Sequence, residues 1–151
     1  MSLLTLVAIL EDGMPAYCSG EMSPSAREAC EGTAAMYEQD GYAPPWIGYL
    51  AELGGEFVGS CAFKSAPRQG QAEIAYWTFA EFEGQGIGSA MVRELILLAR
   101  RTDPKVIVTA QTLPAESPST AILRKLGFVE LGTAEHPEDG LVWQWARVPR
   151  P

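Results

Sequence analysis

Ala72–Arg101, AEIAYWTFAEFEGQGIGSAMVRELILLARR, decides how the rest of the chain is read. Its first part, Ile74-Ala75-Tyr76-Trp77-Thr78-Phe79, is apolar, aromatic and β-branched, and reads as a buried strand. Gly84, Gly86 and Gly88 then alternate with Gln85 and Ile87. Missing side chains let a ligand approach the backbone closely, and free N–H groups at a helix start attract anions. From Ile87 onward Ala90, Met91, Leu95 and Leu98 recur at helical spacing, with Val92, Ile96 and Ala99 widening the apolar face. Arg100 and Arg101 suit the negative end of the helix dipole. The stretch predicts a strand and a helix that open to hold a phosphate-bearing ligand.

Two familiar nucleotide readings fail. A dinucleotide fingerprint needs G-x-G-x-x-G, and Ser89 stands at its last position. A P-loop needs Gly-Lys-Ser/Thr, and no lysine lies between Lys64 and Lys105. The plain alternative is a glycine-rich turn that only starts a helix.

Outward from this stretch, Leu3 to Leu10 reads as a first strand closed by Asp12-Gly13. Ser23-Pro24 has the form of an N-cap with proline at the first helical position, and the helix ends before Asp40-Gly41. Pro44-Pro45 breaks the chain; Trp46 to Leu53, Gly54-Gly55 and Glu56 to Lys64 then form a hairpin. Beyond Asp103-Pro104, Val106 to Ala110 is a strand and Ser119 to Leu126 a short helix stopped by Gly127. Phe128 to Gly132 and Leu141 to Val148 are a last pair of strands joined around Pro137-Glu138-Asp139-Gly140. The order β-α-β-β-β-α-β-α-β-β predicts an α/β fold with a mixed sheet flanked by helices. With no repeat and no long linker, residues 1–151 are expected to form a single domain.

Composition narrows the function classes. Nineteen acidic against eleven basic residues give a formal net charge of −8. That argues against a nucleic-acid surface and favours a cationic small substrate. Cys18, Cys30 and Cys61 include no C-x-x-C pair and read as idle thiols of a reducing compartment. Leu3–Leu10 is too short to span a membrane and lacks a preceding basic segment, so a cytoplasmic protein without a membrane anchor is expected. One histidine and no paired cysteines argue against a metal site.

The glycine turn resembles the cofactor motif of the GNAT family, the Gcn5-related N-acetyltransferases. Their Arg/Gln-x-x-Gly-x-Gly/Ala pattern falls here on Glu83-Gly84-Gln85-Gly86-Ile87-Gly88. A second segment, Ser119-Thr120-Ala121-Ile122-Leu123-Arg124-Lys125-Leu126-Gly127-Phe128, is similar to the family's Asn-x-x-Ser segment and the helix after it, which ends Lys-Leu-Gly-Phe. The resemblance covers nearly the whole chain, and its texture around Leu113-Pro114-Ala115 and Trp143 is closest to the ribosomal-protein N-acetyltransferase branch. It implies a mostly antiparallel sheet of about seven strands, splayed at the centre. It also implies acetyl-CoA as co-substrate and a small-molecule or peptide amine as acceptor, and leaves a homodimer open. The alternative is a non-catalytic module that holds acyl-CoA or a partner.

By that resemblance the cofactor residues are Thr78, Phe79, Gly84, Gln85, Gly86, Ile87, Gly88, Ser89, Ala90, Ser119 and Leu123. Backbone N–H groups of the turn would meet the pyrophosphate, and those near Thr78 and Phe79 the thioester carbonyl. Three positions depart from the pattern: Glu83 replaces Arg or Gln, Glu116 replaces Asn, and Leu123 stands where many members carry a proton-donating tyrosine. Glu83 is therefore expected to turn outward. Among catalytic candidates, Glu73 sits in an otherwise apolar run, where burial would raise its pKa and make it a base. The competing reading is a solvated or salt-bridged glutamate. Tyr76 or Ser119 would protonate the leaving thiolate. His136, before Pro137, reads as an exposed loop histidine. Tyr42, Trp46, Tyr49, Trp77 and Phe79 are candidates for an aromatic acceptor pocket, each also a candidate for the core.

Overall fold

The computed structural model describes residues 3–18 and 20–149, so the two ends of the expected 1–151 domain lie outside it. Seven strands and three helices follow in the expected order: β1 (Thr5–Ala8), α1 (Pro24–Asp40), β2 (Gly48–Leu53), β3 (Glu56–Phe63), β4 (Gln71–Thr78), α2 (Ile87–Thr102), β5 (Ile107–Thr112), α3 (Pro118–Lys125), β6 (Val129–His136) and β7 (Gly140–Arg147). A 3-10 turn, Ala80–Phe82, precedes the glycine turn.

Local chemistry sets the boundaries. Ser23 Oγ accepts from the Ala26 amide, Pro24 opens α1, and the Gly41 amide closes it on the Tyr37 carbonyl at φ 91°. Gly54 and Gly55 both have positive φ, as a tight two-residue hairpin between β2 and β3 requires. At α3, Ser117 accepts from the Thr120 amide while the Thr120 hydroxyl accepts from the Ser117 amide, a reciprocal capping box.

The strands form one sheet in the order β1-β2-β3-β4-β5-β7-β6, antiparallel except where β4 meets β5. β1 is shorter than the sequence predicts, because the Gly13 amide turns back onto the Leu10 carbonyl. β6 runs past Gly132 to His136, since a bulge between Glu130 and Gly132 absorbs the glycine at φ 123° and restores pairing with β7.

Register fixes the two faces. Gly48 pairs with Ala62 and Ala62 with Ala75, so these side chains share the face that carries α1, where Gly48 lies against Thr33 and Tyr37. Gly59 and Thr78 share the opposite face: a Cβ on Gly59 would approach Met91 of α2, and a Cβ on Gly88 would approach Ile122 of α3. Between sheet and helices lie Phe63, Phe79, Ile74, Met91, Leu95, Leu123 and Trp145, all sealed from solvent.

The parallel ladder between β4 and β5 is short. Gln71, Ala72 and Glu73 pair with Ile107, Val108 and Thr109, and there the pairing stops. β4 continues five residues to Thr78 and β5 three residues to Thr112, unpaired with each other. This is the splayed, mostly antiparallel sheet that the family resemblance implies.

Candidate active site

Where β4 and β5 part, alternation decides which backbone groups face the gap. The Lys64 amide bonds the Glu73 carbonyl and the Phe79 amide bonds the Val58 carbonyl, both across the β3–β4 ladder. In an antiparallel pair such residues alternate, so the amides of Tyr76 and Thr78, beyond the last rung with β5, point away from β3, into the opening. Of the two amides expected to meet the thioester carbonyl, Thr78 thus presents its N–H there. Phe79 does not: its amide is spent on Val58 and its side chain is buried.

The glycine turn follows the end of β4, after the 3-10 turn, and leads into α2. Gly84 and Gly86 both have φ 79°, and a Cβ on either would meet nothing within 4 Å, so their absent side chains serve the backbone bend and leave open space above it. Gly86 caps α2 without any side-chain hydrogen bond. The first helical bond runs from the Ala90 amide to the Gly86 carbonyl, so Ile87, Gly88 and Ser89 have no partner within the helix for theirs. Three successive donors at a helix N-terminus suit a pyrophosphate. Ala90 is not among the donors; it borders a hollow of about 510 Å³ that Gln85, Gly86 and Ile87 of the turn also line, with Leu3, Leu4 and Leu53 on the other side. Gly88 is small for a different reason: a Cβ would stand 2.9 Å from Ile122 Cδ1 and 3.7 Å from Thr78 Oγ1, so the glycine lets α2, α3 and β4 converge. Glu83 is exposed, as expected of a carboxylate kept from phosphates.

Inside the opening lies a cleft of about 430 Å³ lined by Glu73, Tyr76, Gln111, Ser119, His136 and Asp139, among others. All three sequence-predicted catalytic residues are brought together here. Glu73 is not the buried carboxylate the sequence predicts. Its side chain is 31% exposed, and Lys64 Nζ stands 2.8 Å from Oε2. No donor meets that oxygen at a hydrogen-bonding angle, so the contact is an ion pair, and Oε2 itself is sealed from water. The salt-bridged reading is the one the structure supports.

Tyr76 reaches across to α3, where its hydroxyl donates to the Ser119 carbonyl at 3.4 Å. Burial pushes its pKa up, so the proton stays on through the neutral range. Leu123 is fully buried, so it packs the core rather than lining the cleft. Glu116 binds the Thr120 hydroxyl at 3.1 Å and the Arg124 guanidinium, which holds its carboxyl below the usual range. Arg124 also lies 5.1 Å over the Trp145 ring, pinning α3 to β7.

His136 belongs to the cleft, contrary to the exposed loop expected. Its side chain is 26% exposed; Nδ1 accepts from the Glu138 and Asp139 amides at 3.1 and 3.2 Å and stands 3.6 Å from Asp139 Oδ2. Nδ1 therefore serves as the acceptor of both turn amides. The β6–β7 hairpin delivers both residues, and only its pairing with β5 through β7 brings them near β4. The aromatic acceptor pocket does not form. Trp46, Tyr49 and Phe79 are core residues, Tyr42 packs edge-on against Tyr37, and Trp77 packs against Phe79. Among the described residues no cluster of His, Cys, Asp and Glu is placed to hold a metal, and no helix is long and apolar enough to cross a membrane.

A family model described as "Acetyltransferase (GNAT) domain" matches residues 6–129. No curated protein matches the sequence significantly. Among solved structures, RimL, a ribosomal L7/L12 alpha-N-protein acetyltransferase in complex with coenzyme A, superposes with a TM-score of 0.70 at 21% identity, covering 97% of this chain and 94% of its own. An acetyl transferase from Salmonella typhimurium that modifies the N-terminal serine of L7/L12 gives 0.69 at 22%, covering 98% and 96%. MccE, a microcin C7 self-immunity acetyltransferase in complex with acetyl-CoA and AMP, gives 0.64 at 17%, covering 82% and 69%.

Proposed function

This chain belongs to the GNAT family of acetyltransferases, and we propose that it moves an acetyl group from acetyl-CoA directly to a primary amine, as one domain working in the opening between β4 and β5. The observation that carries the reading is that opening itself: pairing ends at Glu73–Thr109, and the donor-rich start of α2 lies against the end of β4, where Gly88 approaches Thr78. Three free cysteines and no candidate spanning helix among the described residues are in keeping with a cytoplasmic setting.

The amides of Ile87, Gly88 and Ser89, with the turn at Gly84–Gly86, hold the pyrophosphate. The Thr78 amide donates to the thioester carbonyl oxygen, which takes on charge when the amine attacks. The neutral amine forms the new C–N bond, and the C–S bond breaks. Glu73, a carboxylate of the cleft whose Oε2 is held by Lys64, takes the proton the amine loses through water at its other oxygen. Tyr76 or Ser119 returns one to the departing thiolate. A thiol of pKa about 8.5 needs only modest help, so most of the rate comes from alignment.

Thiol release from acetyl-CoA with a panel of primary amines tests the reading. Amine-dependent release supports it. Saturable acetyl-CoA binding with no release for any amine would instead favour the non-catalytic acyl-CoA-binding module.

A further inference from the structure

The chain has three lysines, and one of them stands in the cleft. Lys105 follows α2 and Lys125 closes α3, both exposed. Lys64 follows β3, is half-buried, and lines the cleft of about 430 Å³ with Glu73, Ala75, Tyr76 and Ser119. It is the one primary amine among the lining residues.

The cleft cuts through the sheet. Glu73 and Ala75 line it from the face that carries α1, and Ile74 and Tyr76 from the other. Lys64 lies opposite Glu73 across the β3–β4 ladder and shares its face. Its Nζ is 2.8 Å from Glu73 Oε2, within the reach over which a positioned base takes a proton. Oε2 is sealed from water and holds no hydrogen bond, so the nearest proton open to it is the one on Lys64. Three N–H groups on a flexible four-carbon stem can turn to deliver it. Ala75 is only about 7 Å further along β4, so the same stem carries Nζ to where the Tyr76 and Thr78 amides face the gap.

We propose that Lys64 is itself an acceptor: with acetyl-CoA bound and no other amine in the cleft, the chain acetylates its own Lys64 side chain. Glu73 Oε2 takes one proton from the ammonium, and the neutral Nζ attacks the thioester carbonyl carbon. The C–N bond forms and the C–S bond breaks. The second proton of the nitrogen goes to the departing sulfur, leaving Nε-acetyl-lysine and the free thiol, and Glu73 releases its proton to solvent. The product is a neutral amide that no longer pairs with Glu73. The inference rests on the acetyl-transfer reading and adds a modification site within the same cleft.

The test incubates the full chain with acetyl-CoA alone and locates acetyl groups over time by peptide mass mapping. Lys64 should be acetylated at least about tenfold faster than Lys105 and Lys125, which serve as internal controls for uncatalysed reaction. Its rate should saturate in acetyl-CoA and stay constant as protein concentration changes, as a reaction within one chain requires. Glu73→Gln should bring Lys64 down to the rate of the other two. Lys64→Arg keeps a cation beside Glu73 but removes the nucleophile, and should abolish the stoichiometric thiol release that precedes any added amine. Equal acetylation of the three lysines, or a rate per chain that rises with protein concentration, would overturn the proposal, and thiol release with added amines would still uphold acetyl transfer. No transfer to Lys64 or to any added amine, with acetyl-CoA bound, would overturn both.

Discussion

Gly86 gives the sharpest test of the phosphate turn, through two substitutions that differ by one charge. Its φ of 79° is left-handed, and a Cβ there meets nothing within 4 Å. A side chain therefore costs the conformational term alone, about 1–2 kcal/mol, or a fall in Tm of about 2–8 °C in a domain of this size. Gly86→Gln and Gly86→Glu share that strain and nearly the same bulk. The glutamate adds a carboxylate about 5 Å from the pyrophosphate, and at an effective dielectric of about 20–80 each unit of like charge costs about 1–3 kcal/mol. The expected Kd for acetyl-CoA is thus about 5- to 150-fold weaker for Gly86→Glu than for Gly86→Gln. Unfolding curves over a ligand titration measure it: at a hundred times Kd the gain is about 2.7 kcal/mol, roughly 5–10 °C. Added salt should narrow the gap between the variants, because the turn is exposed. Equal Kd values for the two would refute the assignment of the pyrophosphate to this turn.

Three further outcomes follow from the geometry. Glu73→Gln should leave acetyl-CoA binding intact and lower turnover about a hundredfold at neutral pH, less at pH values where the acceptor amine is already neutral; a pH–rate profile showing an equal loss throughout would count against the base. Tyr76→Phe should lower kcat about tenfold or more with little change in the KM for acetyl-CoA, and its 3.4 Å contact with Ser119 is long enough that Tm should hardly move. Tyr37 donates to the Ile9 carbonyl at 2.7 Å and accepts from the Gly48 amide at 2.8 Å, so Tyr37→Phe strands both groups at a cost of about 2–4 kcal/mol. Burial, the largest cause, raises the Tyr37 pKa to about 12, above its unfolded value near 10. That stability is complete below pH 10 and lost as pH rises towards 12, so urea midpoints should fall more steeply over this limb for the native chain than for the phenylalanine variant, in which Tyr49 and Tyr76, also raised by burial, still titrate.

The element order, the glycine turn and the family were legible because each rests on chemistry within a few residues: a proline after a serine cap, paired glycines at a hairpin, free amides before Ala90. What failed depended on which side of a strand a residue takes. In the run Glu73–Phe79 composition alone suggests burial throughout, yet alternation sends Glu73, Ala75 and Trp77 to the face no helix covers there. Lys64 then meets Glu73 from the neighbouring strand. His136 and Asp139 were illegible for a longer-range reason. Their hairpin reaches β4 only because β7 inserts between β5 and β6, a strand order that nothing local to Pro137 encodes.

The departures from the family motif take on a different sense once their neighbours are known. Glu116, in place of an asparagine, lies just before α3 and binds the Thr120 hydroxyl in its first turn and the Arg124 guanidinium in its last, so the exchange is accommodated by the helix that follows it. Leu123 fills the core, which takes α3 out of consideration as the source of a phenolic proton donor. Tyr76 approaches the same helix from β4, with its hydroxyl at the Ser119 carbonyl and its pKa raised by burial. A hydroxyl near the leaving thiolate can come from either wall of the opening, because β4 and α3 both border the gap beyond Glu73. If the strand supplies it here, Tyr76→Phe must cost turnover while Leu123→Tyr gains little, since a tyrosine at a fully buried position has no path to the cleft without disrupting the core.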